Sequence, residues 1–335
     1  MNYSTAPAGA TARDRDRAHG TPAKPLDNPP GRLHAAVIGW YSTHARDLPW
    51  RSPDRTPWQV MVSEFMLQQT PVVRVLPRWR EWMSRWPEPA DLAGASPGEA
   101  VKMWGRLGYP RRALRLHAAA VAITERHRGR VPEDYDELLA LPGVGSYTAA
   151  AISVFAFENR QTVIDTNIRR VHARAVAGKA LPSKSLTAAE TRLAEDLMPA
   201  DDAAAVAWNA AVMELGALVC TARSPACERC PIVDDCAWVA AGRPEPEYVP
   251  RGQAWKGTDR QARGAIMAVL REAEGPVPRE SLVGQAPATG TEHGSPMHAL
   301  RMLGADREQL TRCLDGLIRD GLAREERNGG IALPH

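Results

Sequence analysis

Apolar positions recur at helical spacing through most of this chain, and the sharpest break in that pattern falls at Leu141-Pro142-Gly143-Val144-Gly145. Before the break, residues 133–140 are short and amphipathic. After it, residues 146–157 are apolar all round, which predicts a buried helix. Pro142 cannot continue the first helix, and Gly143 and Gly145 let the backbone turn sharply and approach a ligand. The pattern therefore predicts helix, hairpin, helix over 133–157. Amides at the start of the second helix are free to hold an anion such as a phosphate.

The same spacing predicts helices over 33–45, from Trp58 onward, and near 74–85, 97–105 and 111–127, with Pro or Gly punctuation between them. Beyond the hairpin it predicts helices near 167–177, 186–197 and 202–219. No strand signal of any length precedes residue 320, so the main body reads as all-α. Residues 1–31 have no apolar period and are rich in Ala, Pro, Gly, Arg and Asp, the composition of a disordered tail. After a Pro-rich linker over 241–255, the last segment, 256–335, reads as helices near 258–273, 278–283 and 306–320. A Gly/Ser/Pro loop precedes the last of these, and a short hairpin through Asn328-Gly329-Gly330 follows it. Helices followed by an Asn-Gly hairpin look like a small winged-helix domain.

Three places carry candidate chemistry. Glu64 stands among Val60, Met61, Phe65, Met66 and Leu67. A single Glu on a helix is ordinarily a solvated-face residue, but the adjoining Gln68-Gln69-Thr70, two amides and a hydroxyl beside apolar bulk, weaken that explanation. Asp165 lies eight residues past the buried helix. An acid beside a phosphate-holding hairpin suggests chemistry on nucleic acid, yet spacing alone fits equally an ordinary tight turn followed by a helix cap. The Gly-broken stretch Trp104–Pro110 can connect two helices or insert side chains between bases.

Four of the five cysteines, Cys220, Cys227, Cys230 and Cys236, have the spacing C-x6-C-x2-C-x5-C. In a reducing compartment such crowding argues for metal over disulfides, and four thiolates in one loop suit either zinc or a [4Fe–4S] cluster. Cys313, on the stripe Leu310, Leu314, Leu317 and Ile318, reads as a core thiol. A net charge of +3 over 335 residues is compatible with a DNA partner without arguing for one. Nothing in the chain reads as a secretory signal or a membrane span, which points to the cytoplasm, near the nucleoid, and away from any membrane.

The hairpin Leu141–Gly145, the downstream Val163-Ile164-Asp165-Thr166-Asn167-Ile168-Arg169-Arg170-Val171 and the cysteine spacing together resemble the helix-hairpin-helix, Gly/Pro-rich-loop, Asp superfamily of base-excision DNA glycosylases. Within it, Leu48-Pro49-Trp50-Arg51, Ser63–Thr70 and Gly105–Tyr109 look like the adenine DNA glycosylases of the MutY type. The resemblance covers residues 33–240. It implies a two-lobed helical fold, a [4Fe–4S] cluster on the four cysteines, and removal of adenine mispaired with 8-oxoguanine or guanine in double-stranded DNA, by a monomer. By the same resemblance Glu64 is the general acid and Asp165 stabilises the cationic sugar, while Tyr147 and Asn167 hold these groups. Gln69 and Tyr109 are wedges, with Thr70 and Leu107 beside them. Trp50 and Arg51 form the wall of the adenine pocket, and the amides of Gly143, Val144 and Gly145 hold a DNA phosphate.

The related endonuclease III type carries a nucleophilic Lys two residues after the hairpin's last Gly. Tyr147 stands there, so a Schiff-base lyase should be absent or weak. A non-catalytic DNA-binding protein is the other reading, and it leaves the pair Glu64 and Asp165 without a use. Two positions depart from the adenine-enzyme pattern: Ala210 follows Asn209 where the pattern has Gln or Glu, and Thr166 stands where it often has Gly. Beyond the cysteines no strand series marks a Nudix-like lesion-reading domain, and none is expected there. The C-terminal segment is expected to pack on the catalytic body, and lesion recognition to fall on the wedges.

Overall fold

The computed structural model describes residues 30–249, 252, 254–284 and 293–335. The expected tail thus lies almost wholly outside the described residues, as does part of the linker. Helix after helix begins where a side chain can accept a first-turn amide. Thr56, Ser96 and Thr187 do so in reciprocal capping boxes with Gln59, Glu99 and Glu190. Asp134, Asp165, Asp201 and Asp306 cap alone.

The helices form two lobes with separate cores. The first is built on Trp58, Met61, Phe65, Trp82, Trp104, Leu116 and Ile123. The second gathers Leu33, Val37, Val163, Ile168, Trp208, Val212 and Leu215. Helix Ser146–Phe157 belongs to both: Ala149 and Ile152 face the first core, and Ala150, Ala151 and Val154 face the second. Its all-round apolarity is the sequence trace of that bridging position. Helix Pro57–Leu67 packs beside it and is buried over most of its length, Glu64 included.

The C-terminal part, where a winged-helix-like domain is expected, combines helices with a small sheet. Helices Asp259–Glu272, Arg279–Val283, Pro296–Arg301 and Arg307–Arg319 pack on a three-stranded antiparallel sheet. Strand Gly330–Ala332 lies in the middle, with Ile331 opposite both Val277 and Glu325. Two expectations need correction. A strand does occur before residue 320, Val277–Pro278, two residues long and ended by a proline, too short to leave a periodic signal. The stretch read as a loop also contains helix Pro296–Arg301, capped by Ser295, whose side chain accepts from the His298 amide at 3.2 Å. Two further short helices, Pro89–Ala93 and Ala237–Ala240, hold too few residues for a helical period to register.

This domain shares a core with the first lobe. Arg271 Nε donates to the Val101 carbonyl at 3.2 Å, and Gly98 sits so close under Pro334 that a Cβ there would fall 2.2 Å from the Pro334 carbonyl oxygen. Among the described residues no helix is long and apolar enough to cross a membrane.

Candidate active site and iron–sulfur loop

Glu64 is only 6 % exposed, and its Oε2 accepts a 2.9 Å hydrogen bond from the Tyr147 hydroxyl. Burial pushes its pKa up to about 7; the Tyr147 bond and the Arg51 charge pull it down, and the negative charge of Asp165 adds to the rise. Tyr147 is driven well above its ordinary value, first by burial and then by the two carboxylates, so it is a neutral donor.

Asp165 caps helix Thr166–Ala175. Its Oδ1 accepts from the Ile168 amide at 2.6 Å and its Oδ2 from Asn167 Nδ2 at 2.7 Å. Burial raises its pKa, while these donors and Arg170 oppose the rise. Asp165 is thus a helix cap, and its charge is also felt by Glu64. Arg170, part of the motif but given no role from the sequence, donates to Asn167 Oδ1 at 2.8 Å, to the Gly216 carbonyl at 2.6 Å and, through Nε, to the Cys220 carbonyl at 2.7 Å.

Arg51 closes another side of the pair. Its Nη2 donates to Glu214 Oε2 at 2.9 Å, its guanidinium lies 5.8 Å from the Tyr41 ring centre, and its Nη1 is buried without a partner. Burial would raise the Glu214 pKa, but the bonds from Arg46 and Arg51 hold it at about 2, so it is a fixed anion. Arg46 and Glu214 were given no role from the sequence, where Glu214 stands out only as a carboxylate inside Ala210–Leu218, apolar otherwise. Trp50 is buried with its ring edge-to-face against Trp79 at 5.4 Å, as part of the core. Asn209 is also buried, accepting from the Val163 amide at 2.9 Å, and serves the second lobe's packing.

Two loops meet at Thr70 and Leu107. Gln69 and Tyr109 both adopt the left-handed region, with φ of 55° and 47°, which non-glycine residues enter at a cost. Both are exposed, whereas Thr70 and Leu107 between them are buried. Thr70 Oγ1 donates to the Leu107 carbonyl at 3.2 Å. Arg112, also unanticipated, holds both loops: it donates to the carbonyls of Phe65 at 3.0 Å and Gly108 at 3.1 Å, to Thr70 Oγ1 at 3.2 Å, and to the Gln68 carbonyl.

In the hairpin, Gly143 has a φ of 78°, and a Cβ there would meet Arg115 at 2.6 Å, so glycine is required twice over. Val144 is tucked into the first core. Gly145 caps helix Ser146–Phe157 without a side chain, and nothing lies within 4 Å of where its Cβ would stand. The first-turn amides are thus open to an anion.

Cys220, Cys227, Cys230 and Cys236 line one pocket with Val171, Leu215, Val219, Ile232 and Trp238. Burial pushes the Cys230 thiol up to about 11 and the neighbouring sulfurs add to the rise. Four thiolates crowded in an apolar pocket call for a cationic centre. Four cysteine donors in one loop can hold a [4Fe–4S] cluster. Arg174 braces the loop, donating to Cys220 Sγ at 3.4 Å and to the Thr221 carbonyl at 2.7 Å.

Residues 62–195 match the HhH-GPD superfamily of base excision DNA repair proteins, and residues 220–236 match the iron–sulfur binding domain of endonuclease III. Adenine DNA glycosylase of Mycobacterium tuberculosis is 46 % identical over 299 residues, 89 % of this chain and 92 % of that protein. Its counterpart in Mycolicibacterium smegmatis is 44 % identical over 297 residues, 89 % of this chain and 94 % of that protein. Among solved structures, a thermostable thymine-DNA glycosylase agrees with a TM-score of 0.56 at 27 % identity, covering 63 % of this chain and 97 % of that one. An endonuclease III–DNA covalent intermediate agrees at 0.55 and 19 % identity over 64 % and 99 %, a likeness of fold.

The chain belongs to the HhH-GPD superfamily of base-excision DNA repair proteins. Within it the chain stands in the adenine DNA glycosylase branch, a DNA-acting enzyme that carries an iron–sulfur cluster.

Proposed function

We propose that this enzyme, acting as a monomer and without a lyase step, excises adenine placed opposite 8-oxoguanine or guanine in duplex DNA. The observation that carries the mechanism is Glu64, buried, bonded to Tyr147 at 2.9 Å, raised to about 7, and electrostatically coupled to Asp165. Adenine is a poor leaving group, and a carboxylic acid still protonated near neutrality can protonate the ring nitrogen as the glycosidic bond breaks. The bond's electron pair leaves with the base, and the sugar becomes oxocarbenium-like. Asp165, whose rise by burial is opposed by Ile168, Asn167 and Arg170, stabilises that cation as its carboxylate. Water adds to the sugar carbon and loses its proton, leaving an abasic site. Tyr147 offers a hydroxyl where a lyase needs an amine, so no Schiff base forms.

The base must first leave the stack, at a cost of a few kcal/mol. Gln69 and Tyr109, exposed at the tips of two loops tied by Arg112, are the wedge, and the hairpin amides of Gly143 and Gly145 grip a phosphate, that of Val144 being held by the Leu141 carbonyl at 3.2 Å. The unpaired Arg51 Nη1 is a donor for the extruded base. The cluster, when bound on Cys220, Cys227, Cys230 and Cys236, supplies a structural cross-link. The test is excision from duplexes with adenine opposite 8-oxoguanine, guanine or cytosine, with an oxidised-pyrimidine duplex as control. Alkali-labile sites are expected from the first two alone; cleavage of the pyrimidine duplex, or strand breaks without alkali, would overturn the reading.

A further inference from the structure

We propose that Arg78, Arg106 and Arg271 form a binding site for a DNA backbone phosphate, built jointly by the catalytic lobe and the C-terminal domain on the flank of the Leu107–Tyr109 wedge. The inference rests on the reading above that a duplex lies across the wedges. Arg78, on helix Val72–Arg85, packs its guanidinium on Gly105, 3.2 Å from where a Cβ would stand, and reaches Met103 Sδ at 3.9 Å. Gly105 has a φ of 57°, so the loop turns sharply there and presents Arg106, which is exposed. Arg74 fixes that turn from the same helix by donating to the Arg106 carbonyl. Arg271 arrives from the other side, out of helix Asp259–Glu272, with its Nε on the Val101 carbonyl at 3.2 Å.

Burial, and after it the charges of Arg106 and Arg78, push the Arg271 pKa down to about 10, so Arg271 is near enough to both to feel their charge. Among the described residues Arg78 pairs with Glu81, while Arg106 and Arg271 pair with no carboxylate. Gathering like charges costs free energy unless an anion offsets it. A guanidinium's planar donors match a phosphodiester, and three of them converging from two domains suit a fixed backbone position better than a mobile ion. A second contact places the C-terminal domain on the wedge face: the Arg260 guanidinium lies 5.3 Å from the Tyr109 ring centre and 5.7 Å from that of the exposed Trp255. The domain therefore holds DNA as well as packing on the first lobe.

The test is the salt dependence of binding, read by fluorescence anisotropy with the full-length, cluster-loaded protein and two labelled duplexes, one with adenine opposite 8-oxoguanine and one undamaged. Each phosphate contact removed lowers the slope of log affinity against log salt by about 0.9. Arg106→Gln and Arg78→Gln should each flatten the slope by about that amount on both duplexes, and Arg106→Lys, which keeps the charge, should restore it. Arg271→Gln is measured beside its melting curve, because that side chain is partly buried; the exposed Arg106 decides the matter if it fails to fold. An unchanged slope in Arg106→Gln and Arg78→Gln, or weaker binding at an unchanged slope, overturns the site. A wild-type protein that bound with these slopes yet released no adenine would leave the phosphate site standing and remove the excision reading.

Discussion

Burial raises both carboxylates of the site, but the groups that oppose the rise are more numerous at Asp165. Glu64 has one hydroxyl donor and little water, whereas Asp165 has two direct donors and a nearby guanidinium. An acid catalyst must be protonated, so excision under single-turnover conditions should fall about tenfold per pH unit above about 7. Tyr147→Phe gives a sharper check. The hydroxyl stabilises the charged form of Glu64 and lowers its pKa, so its removal should move the falling limb to higher pH and also slow the reaction. A limb that stayed in place would show that Glu64 is not the titrating acid. Glu64→Gln should remove excision while the labelled duplex still binds. Sequence alone could place Glu64 in apolar company but could not assign its burial, because the residues that enclose it come from 51, 147 and 165, far along the chain.

Elements turn these residues into a site by joining distant segments. Glu214 ties helix Asp202–Leu218 to Arg46 and Arg51, with Arg46 Nη2 at 2.6 Å and Arg51 Nη2 at 2.9 Å. Removing one partner of such a buried pair costs roughly 3–5 kcal/mol, so Glu214→Gln should lower the melting temperature by many degrees and free Arg51 from its orientation. The sign of the pH effect follows from the depressed pKa. The stabilisation is complete above the ordinary carboxylate value of 4.5 and is lost as pH falls towards 2, so wild-type and Glu214→Gln should converge in stability at acid pH. Helices were legible where a single face or an all-round apolar run repeats, as in Ser146–Phe157. Strand Val277–Pro278, helix Pro296–Arg301 and the ties made by Arg112 and Arg170 were not, since two to six residues hold no period and an arginine's partners are carbonyls that sequence does not mark.

At the scale of the molecule, the C-terminal domain packs on the first lobe, as its sequence leads one to expect, and it does so through a shared core. Ile266, Leu270, Leu314 and Leu317 of the C-terminal domain belong to the same apolar cluster as Trp82, Trp104 and Leu116 of the first lobe. The closing segment lies against it too, with Leu333 and Pro334 over Gly98, and Arg111 reaches Asp320 at 3.4 Å. Apolar surface covered in this way contributes about 25 cal/mol per Å² removed from water, so uncovering it destabilises the lobe as well as the domain. Calorimetry of the cluster-loaded chain should accordingly show the first lobe and the C-terminal domain melting in one transition. A chain cut after residue 252 should melt well below the full-length protein, or aggregate, despite keeping every residue of the acid pair and the cluster loop. Separate transitions, with the cut chain melting where the full-length lobe does, would show that the shared core contributes nothing and that the domain is a tethered module.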